Sequence, residues 1–398
     1  NGRGNARISV FNFPHEIKSG RTSSISQQIL GFDSKGKIVN YRDVGRMSWP
    51  DIVKESSKII SFFDLAGHEK YLKTTILGLS SSKPDICMII VGANKGLLRM
   101  TKEHIFLCMS LKIPFIIVIT KVDIIKNNKN VFTNSLNSII KLIKHPVMRR
   151  VPVKVKNKDD VITCSKNIHS ESIVPIFKIS NVTGEGIQDL KLFLNLTQKR
   201  KSNIIKNDVK LYIDSCFSVQ GVGTVVGGHL LSGNIKVGDR LLMGPNKSKY
   251  KQVVIRSIHC KRVNLQSVDY GSYVCLAIKK IDKEEIRKGS VLISENSKHL
   301  LVKNFVADIN VLKLHSTTIR IGYEPIIHCG AVRQTGKLIE ILEIKKYKDN
   351  DKSVLRIGDK AKVKFKFSFH PENVSVGDRI LLCEGRTKII GIITQLNK

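Results

Sequence analysis

Asp64-Leu65-Ala66-Gly67-His68-Glu69 follows the apolar run Ile59 to Phe63 and precedes Lys70 to Ser80, whose apolar residues recur at helical spacing. The hexapeptide sits where a strand hands over to a helix, and it gathers a carboxylate, a glycine and an imidazole at that junction. Outward from it the same alternation repeats. Ile86 to Val91, Phe115 to Ile119 and Ile176 to Ile179 are continuous apolar runs, as expected for strands buried on both faces of a parallel sheet. Thr101 to Leu111, Val131 to Ile143 and Ile187 to Leu196 read as the accompanying helices. The pattern predicts an α/β domain with a doubly wound, mainly parallel sheet, whose ligands bind outside the carboxyl ends of the strands. A basic stretch from His145 to Val174 interrupts the alternation and reads as an extra hairpin or loop.

After Gln198-Lys199-Arg200-Lys201 the period changes from helical to alternating. Short β runs follow, punctuated by glycine: Val219 to Gly228, a Ser232-Gly233 turn, then Lys236-Val237-Gly238-Asp239-Arg240-Leu241-Leu242. A second such region begins near Asn304, and Ser375-Val376-Gly377-Asp378-Arg379-Ile380-Leu381 repeats the earlier Gly-Asp-Arg element. Evenly spaced short strands of this kind imply small β-barrels. The expected division is residues 1–198 as the α/β domain, 199–208 as a basic linker, and 209–298 and 299–398 as two β-barrels.

The chain carries a formal net charge of +34 over 398 residues, which attracts a polyanion and makes ribosomal RNA or tRNA the natural partner. The competing reading is a Lys-, Ile- and Asn-rich composition from AT-biased coding, with lysines on solvated faces. Eight scattered cysteines, without a Cys-x-x-Cys pair or a histidine at zinc-ligand spacing, fit a reduced cytoplasmic protein without a structural metal. The apolar runs fall far short of the roughly 18 residues that span a bilayer. The chain starts at Asn1 within structured-looking sequence, so a missing start is expected, and with it any targeting signal.

A nucleotide-hydrolysing site must hold a triphosphate and Mg²⁺, orient a water and neutralise developing charge. Asp64 at a strand end suits the Mg²⁺ shell, Gly67 lets a backbone N–H approach the γ-phosphate, and His68 suits positioning of the attacking water. Helix capping is the competing role for Asp64. Thr22, in Ser19-Gly20-Arg21-Thr22, can offer its hydroxyl and carbonyl to Mg²⁺ and γ-phosphate in the order–disorder manner of a nucleotide switch, against simple loop chemistry. In Thr120-Lys121-Val122-Asp123 the carboxylate can accept from N1 and N2 of guanine, a donor pair adenine lacks, while the Lys121 stem stacks on the base. Ser180-Asn181, in a turn-like stretch, would close over guanine O6 with backbone N–H groups. No complete G-x-x-x-x-G-K-[ST] phosphate loop occurs in the chain. Gly31-Phe32-Asp33-Ser34-Lys35-Gly36-Lys37 fails at Ile38 and lies after Thr22, so it reads as a hairpin turn, and the real loop is expected upstream of Asn1.

The runs Ser19 to Asp33, Phe63 to Thr75 and Ile179 to Glu185, with Gly221 to Val226, resemble the GTP-binding-protein-one group of translational GTPases, relatives of elongation factors Tu and one-alpha. So do Cys329-Gly330-Ala331-Val332-Arg333-Gln334-Thr335 and Glu384-Gly385-Arg386-Thr387-Lys388. The resemblance implies GTP and GDP as ligands with Mg²⁺, and a monomeric protein that binds the ribosome, tRNA or both and hydrolyses GTP. It implies Thr22, Asp64 and Gly67 as metal and γ-phosphate contacts and His68 as the catalytic residue. Thr120, Lys121, Asp123, Ser180 and Asn181 then become the guanine contacts. Two alternatives stay open: a non-hydrolysing RNA- or ribosome-binding module with a degenerate nucleotide site, and a GTPase acting in RNA turnover.

Overall fold

The computed structural model describes residues 8, 10–42, 45–125, 129–145, 148–200, 208–246, 248–287, 289–297, 300–313, 318–345, 353–384 and 387–397. The basic linker from Lys201 to Asn207, and Gly385 and Arg386 of the late motif, lie outside the described residues. The chain divides into two compact units that meet in sequence at Ser202 and Asn203.

The first unit opens with α1 (Pro14–Ser19), β1 (Ser26–Phe32), the two-residue strands β2 (Tyr41–Arg42) and β3 (Gly45–Arg46), and α2 (Trp49–Glu55). Then come β4 (Lys58–Asp64), α3 (Leu72–Ser82), β5 (Cys87–Gly92), α4 (Arg99–Ser110), β6 (Phe115–Thr120) and α5 (Lys129–Ile143). It closes with β7 (Val151–Lys154), α6 (Lys158–Asn167), β8 (Ile173–Lys178) and α7 (Ile187–Leu196). Four strands form a parallel sheet in the order β5-β6-β8-β7. Phe115 to Ile119 of β6 are fully buried, as a continuous apolar run in a central strand should be.

Two expectations need correction here. The run Ile59 to Phe63 does not join the parallel sheet: β4 pairs antiparallel with β1, Ser26 opposite Asp64 and Phe32 opposite Lys58. All seven of its residues are only half-buried, and Ile90 of β5 is 54% exposed. An apolar run specifies a strand but not its partner, and among the described residues β4 pairs only with β1 and β5 only with β6. The stretch from His145 to Val174 is not an extra hairpin either. It supplies β7, an edge strand parallel to β8, and α6, which Asn157 caps through Asp160 N–H at 2.9 Å and which buries Val161 and Cys164 one turn apart. The signal was weak because an edge strand of four residues tolerates Pro152 and half-exposed positions.

α2 packs Ile52 against Ile29 and Met47, and this closeness requires Gly31, where a Cβ would stand 2.0 Å from Ser56 Oγ. Lys58 Nζ donates to the carbonyls of Leu194 (3.0 Å), Asn195 and Thr197 (2.5 Å) at the end of α7. A cation on terminal helix carbonyls is favourable, and it ties the start of β4 to α7. Burial pulls the Lys58 amine below its ordinary pKa.

In the second unit, Lys210–Val219, Gly223–Ser232, Tyr273–Lys279, Lys249–Cys260, Arg240–Asn246 and Val291–Ser294 close into one antiparallel barrel. Asn304–Lys313, Lys360–Phe367, Val332–Lys345, Ile326–Cys329, Arg379–Glu384 and Thr387–Asn397 close into another. The Gly-Asp element noticed at Gly238 and Gly377 occurs a third time at Gly358. In each, the aspartate side chain accepts from the N–H three residues back: Asp239 from Lys236 at 2.7 Å, Asp359 from Arg356 at 2.7 Å and Asp378 from Ser375 at 2.8 Å. Each glycine has φ near +90° and donates its N–H to a neighbouring strand. Between the barrels, the fully buried Glu372 accepts from Arg287 Nη1 at 2.9 Å, Arg287 Nη2 at 2.6 Å and Gln334 Nε2 at 2.5 Å.

Candidate functional site

The sequence-predicted residues gather in two clusters. The first lies at the end of β4. Thr22 Oγ1 donates to Asp64 Oδ2 at 3.2 Å across 42 residues of chain, and Arg21 Nη1 lies 3.2 Å from His68 Nε2. Asp64 and Thr22 are half-buried, while Gly67 and His68 are exposed. His68 caps the single turn Glu69–Tyr71, its Nδ1 lying 3.2 Å from the Lys70 N–H. A neutral imidazole accepts at one ring nitrogen only. The contacts to Arg21 and Lys70 are therefore alternatives, and the proton sits on whichever nitrogen is not accepting. The loop below is held by Thr75 of α3, whose hydroxyl donates to the Ala66 carbonyl at 2.5 Å, and by an ion pair between Glu69 and Arg99. Among the described residues, a Cβ on Gly67 would meet no atom within 4 Å, so the backbone there is open on its side-chain face.

The segment carrying Arg21 and Thr22 runs from the end of α1 to a clamp on Ser23 and Ser24. α1 ends on Gly20 in the left-handed region, φ +62°. Beyond Thr22, the buried Glu16 carboxylate accepts from Ser23 N (2.5 Å), Ser23 Oγ (2.8 Å), Ser24 N (2.9 Å) and Ser24 Oγ (3.0 Å) through one oxygen. Its other oxygen accepts from Asn12 N at 2.7 Å and Phe13 N at 3.1 Å. Burial alone would push this carboxyl up, but the donors from Ser23, Asn12 and Ser24 outweigh it and hold the pKa down at about 2.

The second cluster lies beyond the carboxyl ends of β6 and β8. Ser180 is fully buried and its hydroxyl donates to Asp123 Oδ1 at 2.5 Å while accepting from the N–H groups of Val182 (3.2 Å) and Thr183 (3.1 Å). Lys121 adopts φ +62°, a left-handed conformation uncommon for a residue with a side chain, and it and Asn181 are exposed. Thr120 stays in the sheet register, its carbonyl accepting from Ala93 N–H at 2.8 Å. The loop after Ser180 re-enters a helix through Gly186, where a Cβ would stand 1.9 Å from the Lys178 carbonyl oxygen.

Within each cluster the structure brings predicted residues together, Thr22 with Asp64 and Ser180 with Asp123. Asp64 and Thr22 offer hard oxygen donors of the type Mg²⁺ takes alongside water and phosphate oxygens. Among the described residues no group of three or more His, Cys, Asp or Glu could hold a metal by itself. The stretch Gly31 to Lys37 cannot cradle phosphate, because its amides are used internally. Lys35 N and Lys37 N donate to Asp33 Oδ1 at 2.9 and 2.8 Å, and Gly36 N to the Asp33 carbonyl at 3.1 Å, which makes it the expected hairpin turn. Sequence reasoning missed Glu16 and Arg21. Arg21 stood inside a quoted motif, whereas a lone glutamate in a six-residue helix carried no signal. Among the described residues no helix is long and apolar enough to cross a membrane.

Residues 3–206 match the family described as elongation factor Tu GTP binding domain, and residues 223–293 that described as elongation factor Tu domain 2. The chain is 44% identical over 399 residues to GTP-binding protein 1 of Xenopus laevis, covering 100% of this chain and 59% of that protein. It is 40% identical over 403 residues to GTP-binding protein 2 of Mus musculus, covering 100% and 65%. It thus spans about three-fifths of the length of these curated relatives. The crystal structure of a bacterial selenocysteine-specific elongation factor, EF-Sec, superposes with a TM-score of 0.67 at 19% identity over 96% of this chain and 53% of that one, which shows the shared fold. The chain belongs to the elongation factor Tu family of translational GTPases.

Proposed function

We propose that the whole protein hydrolyses GTP to GDP and phosphate, with residues 1–198 as the nucleotide-binding domain and 209–298 and 299–398 as the barrels that engage RNA. The observation that carries the reading is the Thr22–Asp64 hydrogen bond, which closes the switch segment onto the strand end. In this reading Thr22 and Asp64 hold Mg²⁺, the Gly67 N–H faces the γ-phosphate and His68 orients the attacking water. Mg²⁺, when bound, neutralises charge on the β- and γ-phosphates. Asp123, its carboxylate aimed by Ser180, accepts from guanine N1 and N2, Lys121 stacks on the base, Thr120 fixes the loop on β6, and the backbone at Ser180 and Asn181 faces O6. The net charge of +34 and the elongation-factor relatives favour the ribosome, tRNA or both as partner, in the cytoplasm and as a monomer.

Replacing Asp123 by Asn in the complete protein tests the base assignment. Asparagine offers a donor where the carboxylate accepted, so preference should move from guanine to xanthine nucleotides. Retained guanine selectivity would sink the assignment. Binding of RNA that is indifferent to nucleotide, in a protein that hydrolyses none, would favour the non-hydrolysing module.

A further inference from the structure

We infer that Arg21 is a second catalytic residue, delivering its guanidinium within the same chain to the γ-phosphate as GTP is hydrolysed. This rests on the proposed GTP hydrolysis and goes beyond it, since Arg21 has no part in holding metal or base.

Arg21 immediately precedes Thr22, whose hydroxyl reaches Asp64, and its own side chain reaches His68 at 3.2 Å. The residue is exposed, and among the described residues no carboxylate pairs with it. In a chain with 67 lysines and arginines a solvated cation is ordinary; a cation held against the imidazole proposed to position water is not. Its backbone leaves α1 through Gly20 at φ +62° and is held beyond Thr22 by the Glu16 clamp on Ser23 and Ser24. The guanidinium carries five N–H donors in a planar fork, and His68 engages only one nitrogen.

The chemistry follows from relative acceptor strength. A phosphate oxygen that gathers charge as the β–γ bond breaks is a better acceptor than a neutral imidazole, so the developing charge draws the fork away from His68 Nε2 and leaves that nitrogen to the attacking water. The water oxygen then bonds to the γ-phosphorus, and the bond from that phosphorus to the β–γ bridging oxygen breaks with its electron pair passing to GDP. The water proton ends on inorganic phosphate or in solvent. Arg21 neutralises the charge that spreads over the γ-oxygens during this exchange.

The test compares single-turnover GTP hydrolysis by the complete wild-type protein, R21A, R21K and H68A, with ribosomes present and absent, and measures affinity for a non-hydrolysable GTP analogue in parallel. R21A should lose about 10³-fold in rate, the lower end of what such arginines supply, with analogue affinity within about threefold of wild type. R21K should remain slow, because an ammonium is a point charge without the planar fork. R21A at or above the wild-type rate beside a slow H68A would overturn the role of Arg21 and leave the GTPase reading standing. A slow R21A whose analogue affinity falls by the same factor would also overturn it, in favour of uniform binding. A wild-type protein that hydrolyses no GTP in either condition overturns the functional reading and this inference together.

Discussion

Glu16→Gln should release the segment that carries Arg21 and Thr22. One glutamate oxygen accepts four hydrogen bonds from Ser23 and Ser24, and the other accepts two from Asn12 and Phe13. The glutamine amide must put its NH₂ at one of these places, and the less damaging choice turns a donor toward the N–H groups of Asn12 and Phe13. Two charge-assisted hydrogen bonds disappear, at about 1.5–3 kcal/mol each, for a local loss of about 3–6 kcal/mol. Even the lower figure corresponds to about 10²-fold easier opening. Hydrogen exchange read on peptides spanning residues 10–25 should accelerate accordingly, while peptides from the two barrels stay unchanged.

The same clamp predicts a pH dependence. A carboxyl whose folded pKa is about 2 against an ordinary 4.5 stabilises the fold fully above about 4.5 and loses that contribution as pH falls through about 2. Protection of the segment, corrected for intrinsic exchange, should be flat from neutral pH down to about 5 and decline below. Exchange in E16Q within about threefold of wild type, or protection that declines already between pH 7 and 6, would refute the reasoning. With the segment released, hydrolysis should slow because Arg21 and Thr22 lose their places.

Two further outcomes concern the scaffold. Gly186→Ala should destabilise the first unit by more than the roughly 1–2 kcal/mol of a left-handed non-glycine residue, because its Cβ would also stand 1.9 Å from the Lys178 carbonyl. Trp49, the sole tryptophan, reports that unit in urea, and an unshifted midpoint would contradict the clash. Arg287→Met strips the buried Glu372 of its cation and should cost about 3–5 kcal/mol. Hydrogen exchange in Val291–Ser294 and Asn304–Lys313 reads the loss, and R287M/E372Q should recover part of it; no recovery would mean that the pair is not coupled.

The linear sequence carried the class of the fold because burial period is written residue by residue. Phe115 to Ile119 read as a strand covered on both faces and is fully buried, and the glycines of the Gly-Asp turns adopt φ near +90°. The spacing of Asp64, Gly67 and His68 after a strand pointed to nucleotide chemistry, since a carboxylate, a glycine and an imidazole are groups that such a site calls on. Partner choice was not legible. That β4 pairs with β1, and that Val151–Lys154 extends the parallel sheet, depend on which edges come together, and an apolar run carries no address for its neighbour.

Only the tertiary structure brought Thr22 to Asp64, Ser180 to Asp123 and Arg21 to His68, over 42, 57 and 47 residues of chain. It also placed Glu16 beneath the segment that two of these pairs depend on. Sequence by itself determined which side chains could do the chemistry, because that is fixed by their functional groups. Their meeting required the hydrogen bonds of the folded chain, whose geometry no local pattern specifies.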